Sequence, residues 1–363
     1  KAAELLHQLI ALRTHQPGPD GVGGSERKLC EHLVPLILPK QPDEIAIVDA
    51  PRGAGGNGAY LYARWGKPDR IINAHVDTVP ANQGWSRDPW QPITKDGKVF
   101  GLGAADTKGA IAAALVALDR GKPKDCALLF SGDEERGTAS VRHFLASPRA
   151  RGVTRVVVCE PTSRRAGIAH RGVLAYRAYL RGQGGHSSKA DRLPRPLAQL
   201  ARLAVAIDET GRNRLDDGPA GMTGLCLNIA QLAGGVAFNV VPDEGELLFS
   251  LRPWPGFERE EWDRDLTAMS RSIDRGIEIA TIIDHAPFAC DDVDRVAPLF
   301  GKRVGSVGNL DFWTEAALYQ AAGIAAVVIG PGDIAQAHSP DEWVAIDDLG
   351  WAIDLYAGVL AGG

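Results

Sequence analysis

Short apolar runs that alternate with helical stripes, several of them ending in an acid or a histidine, constrain this chain more than any other feature. Strand-like runs stand at Ile45–Val48, Ala59–Trp65, Arg70–Val76, Ala127–Phe130 and Arg155–Cys159. Apolar residues three or four apart mark helices at Glu4–His15, Thr107–Leu118 and Thr138–Leu145. Strands alternating with helices predict an α/β fold, a mostly parallel sheet flanked by helices. Near residue 165 the rhythm changes. Strands at Gly172–Leu180, Leu225–Leu232, Gly245–Leu251 and Ile277–Ile283, with helices at Pro196–Ile207 and Glu258–Arg275, predict a separate α+β satellite. After the Pro/Asp-rich turn Ala286–Asp294 the first rhythm returns in a helix at Phe312–Ala322, a strand at Ala325–Ile329 and a helix at Leu349–Leu360. The chain reads as a discontinuous catalytic domain, residues 1–165 and 286–363, interrupted by an inserted satellite, residues 166–285.

Composition narrows the function. A hydrophobic share of 45% and a charged share of 23% over 363 residues exclude wholesale disorder. Lys plus Arg is 40 against 45 Asp plus Glu, a net charge of -5 that leaves no basic footprint for nucleic acid or an anionic membrane. No apolar stretch approaches the roughly 20 residues of a membrane helix. Cys30, Cys126, Cys159, Cys226 and Cys290 are odd in number and widely spaced, which argues against a disulfide framework and a thiolate zinc site. The segment Lys1-Ala-Ala-Glu-Leu-Leu-His7 has no apolar signal core, so a cytoplasmic location is expected. It begins without Met, which leaves open what stands upstream.

The chemistry collects where strands end. His75 and Asp77, two residues apart, share a face at the end of one strand. Leu128-Leu-Phe-Ser-Gly runs into Asp133, Glu134 and Glu135, and Val156-Val-Val-Cys runs into Glu160. Ligand crevices of open α/β sheets lie beyond the carboxyl ends of the strands, so these pieces are expected to converge. Gly101-Leu-Gly-Ala-Ala-Asp106 imitates a dinucleotide fingerprint, but a carboxylate at the sixth position would repel a pyrophosphate. It suits a cation instead. His338 follows the last predicted strand, after Gly330-Pro-Gly332. Two imidazoles and several carboxylates without thiolates form a borderline donor set for Zn²⁺, Co²⁺ or Mn²⁺. Two divalent ions sharing one acid need two His and three acids, a count that His75, His338, Asp106, Glu135 and Glu160 meet. Such a pair acidifies water and steadies a tetrahedral intermediate. Glu134 is then the free acid that carries the proton, and Asp77 the group that accepts the other ring N–H of His75. Taken singly, Asp106 reads as a helix N-cap, Asp133–Glu135 as an acidic helix start, Glu160 as a loop acid and either histidine as a packed one. Their coincidence carries the reading.

Asn73-Ala-His-Val-Asp-Thr-Val-Pro80, Gly101–Gly109, Ser131-Gly-Asp-Glu-Glu135, Glu160-Pro-Thr162, Gly184-Gly-His-Ser-Ser188 and Ala337-His-Ser-Pro-Asp-Glu342 together resemble the M20 metallopeptidases and amidohydrolases, in their acetylornithine deacetylase-like branch. The resemblance implies that His75, Asp106 and Glu160 hold one ion and Asp106, Glu135 and His338 the other, with Glu134 as general base and then acid. It implies a homodimer through the satellite, with His186 reaching a neighbouring subunit's oxyanion. Asn239 matches a substrate-contacting Asn, and Arg252 an Arg that pairs with an α-carboxylate. Leu102 stands where many members carry Arg, and Ser250 where an Asp often precedes the Arg by two. His170, in a branch-like motif, is assigned no chemistry. The implied reaction removes acetyl from a small N-acetyl amino acid in arginine biosynthesis. N-acetyl-L-citrulline is the first expected substrate; N-acetyl-L-ornithine, a dipeptide or another N-acyl amino acid are the alternatives. A pocket for the cationic ornithine chain needs a spare carboxylate, and Glu315 is either that group or an ordinary helix acid. A phosphoesterase would need Lys or Arg near the motifs, and a non-catalytic binding protein would have lost a ligand; neither pattern is seen.

Overall fold

The computed structural model describes residues 1–18, 21–51 and 57–362. Its main sheet contains β1 (Glu44–Pro51), β2 (Asn57–Trp65), β3 (Arg70–His75), β4 (Cys126–Ser131), β5 (Arg155–Val158) and β6 (Ala325–Val328), in the spatial order β1-β2-β4-β3-β5-β6. The pairs β4·β3, β3·β5 and β5·β6 are parallel, with His75 opposite Ser131, Asn73 opposite Val158, and Val328 opposite Val158. β1·β2 and β2·β4 are antiparallel. Every residue of β3 and β4 is buried, without alternation, because helices cover both faces of a parallel sheet. Helix Gly109–Ala117 is likewise buried at all nine positions. Its apolar residues face every direction, and it packs between helices Ala2–Ala11 and Ile346–Ala361. The fold class is the predicted one.

The differences are local. Helix Glu26–Ile37 was not foreseen, although Leu29, Cys30, Leu33 and Ile37 make its buried stripe and Ser25 caps it at Lys28 N; Pro35 inside the helix disguised the period. The predicted helix Thr107–Leu118 starts at Gly109, and Asp106 and Thr107 leave helical backbone, at φ −119° and −127°. No side chain caps that helix, so Asp106 is not its N-cap. Phe312–Ala322 shortens to Ala316–Ala321.

Two compact units result: residues 1–168, 289–310 and 314–363, and residues 169–288 with 311–313. In the second, strands Asn228–Ala233, Glu244–Leu251, Val173–Arg181 and Glu278–His285 form an antiparallel sheet in that order. Alternate residues of Glu244–Leu251 are buried, as expected when one face is covered. Leu247, Phe249 and Leu251 join Leu200, Leu203 and Ile207 of helix Pro196–Arg212 and Trp262 and Leu266 of helix Arg259–Ile273 in one core. No helix among the described residues is long and apolar enough to cross a membrane.

Candidate metal centre

The parallel strands β3, β4, β5 and β6 deliver their carboxyl ends to one place in the first unit. β3 ends on His75, β4 leads through Gly132 to Asp133–Glu135, and β5 leads through Cys159 to Glu160. β6 runs on to Gly330, where a Cβ would lie 2.5 Å from the carbonyl oxygen of Glu160. Only glycine lets the two backbones pass so closely. His338 arrives on the following loop at φ 56°, held there by the side-chain amide of Asn82 on its carbonyl.

Asp106 joins the four through its two oxygens. Oδ1 lies 2.8 Å from Nε2 of His75, and Oδ2 lies 3.2 Å from Nε2 of His338. Glu160 Oε1 stands 3.8 Å from His75 Nε2, and Glu135 Oε1 stands 3.1 Å from His338 Nε2. The ligand atoms of His75, Asp106 and Glu160 all lie within 4.8 Å of one another, and so do those of Asp106, Glu135 and His338. His75, Glu134 and Glu135 form a third such group. The structure thus brings together all five expected ligands with Glu134. Asp77 differs from expectation in detail. His75 Nδ1 donates to the backbone carbonyl of Asp77 at 2.9 Å, and the carboxylate oxygen stands off at 3.7 Å. Either way Nδ1 carries a proton and Nε2 is the ring nitrogen that faces the cluster, donating to Asp106 while no cation is bound and able to offer its lone pair to one. The carboxylate of Asp77 accepts instead from Glu134 N at 3.2 Å and Glu135 N at 3.1 Å.

Two further residues matter here: Glu342, which sequence reasoning left without a role, and Glu315, which it left between a substrate-facing carboxylate and a helix acid. Glu342, 2% exposed, accepts the N–H groups of Gly103 (2.8 Å), Ala105 (2.8 Å) and Asp106 (3.1 Å), clamping the loop that carries Asp106. Its place in the motif Ala337–Glu342 was the available signal. Burial and the Asp106 charge push its carboxyl up to about 8, against the pull of those hydrogen bonds. Glu342→Ala is expected to weaken cation binding by about 10–100-fold, because the loop loses its anchor. A competition titration against a chromogenic chelator measures this; wild-type affinity would show that the loop needs no clamp. Glu315, 1% exposed, accepts from Ser131 Oγ at 2.7 Å. Burial pushes it up to about 7.

Burial also raises the carboxyls of Glu134, Glu135 and Glu160, which repel one another in little solvent. Burial alone would lower His75, but its contacts with Asp106 and Glu160 lift it well above the usual imidazole range. Asp106 and Glu135 lift His338 in the same way. Asp106, pushed up by burial, is held below its usual range by both histidines. Protons therefore sit in neutral solution where cations would coordinate. Divalent-cation binding is expected to expel them, so affinity rises with pH through the neutral range. Calorimetry in buffers of different ionisation enthalpy checks this; a buffer-independent heat would contradict it.

His186, Asn239 and Arg252 belong to the second unit. His186 is exposed and pairs with Val240 across a short antiparallel ribbon. Its Nδ1 accepts from Ser188 N at 3.2 Å. Asn239 adjoins the same ribbon, and its carbonyl accepts from Ser187 N at 3.0 Å. Arg252 is exposed at the end of strand Glu244–Leu251, and its backbone N–H bonds Leu225 O. His170 packs on Phe288, with ring centroids 5.2 Å apart.

Carboxylates and imidazoles gathered at the ends of parallel strands, with no thiolate in the cluster, form a donor set suited to divalent cations. A profile of peptidase family M20/M25/M40 matches residues 71–362. N-acetyl-L-citrulline deacetylase of Xanthomonas campestris is 36% identical over 81% of this chain and 82% of that protein. Acetylornithine deacetylase of Photorhabdus laumondii is 29% identical over 96% of this chain and 93% of that one. In fold, the chain resembles the M20 family metallo-carboxypeptidase Sso-CP2 from Sulfolobus solfataricus, with a TM-score of 0.78 at 15% identity over 99% of this chain and 98% of the other. It also resembles the Bacillus subtilis YXEP protein, a dinuclear metal-binding peptidase, with a TM-score of 0.68 at 15% identity over 99% and 96%. The chain belongs to the M20 family.

Proposed function

We propose that this protein removes the acetyl group from N-acetylated α-amino acids with two divalent cations, Zn²⁺ or Co²⁺ with Mn²⁺ as a further candidate. The observation that carries this reading is Asp106, whose two oxygens face two histidines, each backed by one further acid, His75 by Glu160 and His338 by Glu135. Crowded buried acids of this kind fit cations, whose charge would reverse the repulsion among them. His75, Asp106 and Glu160 would hold one ion, and Asp106, Glu135 and His338 the other. When bound, the pair supplies Lewis acidity for the acetyl carbonyl and lowers the pKa of water. Glu134, whose carboxylate accepts no hydrogen bond among the described residues, takes the proton of the attacking water and returns it to the leaving amine. Asp77 holds the backbone of Glu134 and Glu135. His186, from a neighbouring subunit of a homodimer, donates to the oxyanion, and Asn239 and Arg252 bind the substrate. Gel filtration showing only monomer would count against the shared site.

N-acetyl-L-citrulline is the preferred substrate in this reading, with N-acetyl-L-ornithine the alternative. The Xanthomonas relative's name supports that order. So does the burial of Glu315, the acid singled out for a cationic side chain, which is 1% exposed and takes Ser131 Oγ on one oxygen. The test is kcat/KM on N-acetylcitrulline, N-acetylornithine and a dipeptide under matched cation loading. The expected order is the order given. A dominant dipeptide rate would make the enzyme a peptidase.

A further inference from the structure

Three consecutive N–H groups, those of Asp133, Glu134 and Glu135, are each received by a buried carboxylate. Asp133 N donates to Glu26 Oε1 at 3.1 Å, Glu134 N to Asp77 Oδ1 at 3.2 Å and Glu135 N to Asp77 Oδ2 at 3.1 Å. Glu26 Oε2 also takes the N–H of Ala59 on β2 at 2.8 Å. One neutral group joins the two acids. The side-chain amide of Gln16 donates to Glu26 Oε1 at 3.0 Å and to Asp77 Oδ2 at 2.7 Å. Gln16, Glu26 and Asp77 are 5%, 6% and 0% exposed. Gln16 is itself fixed, its N–H bonding Thr78 O at 2.8 Å, one residue beyond Asp77. Glu26 lies so close under the turn that a Cβ on Gly132 would stand 2.2 Å from its Oε2.

We infer that Gln16 and Glu26 are positioning residues for Glu134: through Asp77 and the N–H of Asp133 they set the turn from which the Glu134 carboxylate projects. The inference rests on the reading of Glu134 as the proton carrier. Two buried carboxylates that share one amide N–H₂ repel each other as soon as that donor is removed. The N–H groups of Glu134 and Glu135 then hold Asp77 to the turn against the repulsion of Glu26, without the shared amide. Displacement of a reacting group by about 1 Å costs about 10²-fold in rate. Neither residue touches the ligand atoms, but Glu135 hangs from the same Asp77 carboxylate, so the inference requires that turnover at saturating cation falls much further than cation content.

The experiment compares Gln16→Met, which keeps the length and deletes the donor, with Gln16→Glu, which replaces the donor by a third acid. Both are assayed beside wild type on N-acetylcitrulline, with cation stoichiometry and KM measured in parallel. Gln16→Met is expected to lose about 10–100-fold in kcat, with KM and cation content near wild type. For Gln16→Glu, falling pH protonates the new side chain, which Glu26 and Asp77 hold above the usual carboxyl range, and gives it back an O–H to donate. Its kcat relative to wild type is therefore expected to rise from about pH 8 to about pH 5.5. A purely structural role would leave that ratio flat. Wild-type kcat in Gln16→Met, or loss of activity only in proportion to lost cation, would overturn the inference. If Gln16→Glu does not fold, Gln16→Met decides alone. Absence of turnover in the wild type on both N-acetylcitrulline and N-acetylornithine would instead overturn the deacetylase reading, and this inference with it.

Discussion

Glu134→Gln is expected to lower kcat by about 10²–10⁴-fold while the protein still binds two cations per chain. The amide has the size of the acid but cannot take up and return a proton. Glu134 is not among the five expected ligands, so the amide removes charge beside the cluster but no expected ligand oxygen, and the cations are expected to stay. The backbone anchor is untouched, because Asp77 holds the N–H of Glu134 and not its carboxylate. Steady-state kinetics with parallel cation analysis checks the pair of outcomes. Normal kcat in this variant would remove Glu134 from the chemistry, and cation loss matching the activity loss would make it a ligand, as its place in a group with His75 and Glu135 allows.

Asp106→Asn is expected to act on the cations first. Asp106 is 6% exposed and meets His75 and His338 with different oxygens, so the amide must turn an N–H₂ group towards one of the two ion positions. Stoichiometry should fall from two per chain to one or none, with a loss in affinity beyond the about 10–100-fold that removal of an outer partner costs. Activity should fall with it. Without cations, the variant also leaves the buried His75 facing no carboxylate at 2.8 Å, so its ring is expected to titrate at lower pH than in wild type. Cation analysis after dialysis, and histidine titration by NMR in the chelated protein, read the two effects separately. Two cations retained at wild-type affinity would show that Asp106 does not bridge.

The parts of this protein differ in how far they could be read in advance. The apolar centres of β3 and β4, Ile71–Ile72 and Ala127–Phe130, announced strands covered on both faces, and the acids and histidine beyond them announced a site, because a parallel sheet sends every carboxyl end to the same edge. The helix Glu26–Ile37 was legible in its stripe but masked by Pro35. Glu342 and Glu26 were not legible as clamps. The groups they clamp are backbone N–H groups, which every residue but proline has, so no spacing in the chain records the contact. The same holds for the hydrogen bond of His75 Nδ1, which goes to the carbonyl of Asp77 rather than to its carboxylate.

The amino-acid order by itself determined the α/β class, and it put forward an interrupting second unit and the five ligand candidates with Glu134 beside them. Periodicity and residue chemistry are local properties, and they survive in a linear string. Only the tertiary structure decided which oxygen of Asp106 faces which histidine, which buried acids hold backbone rather than cations, and that Gln16 links two of them. Those are relations between segments up to 239 residues apart in the chain, from Gly103 to Glu342. Distance and direction in space settle such relations, and a sequence specifies neither until it folds.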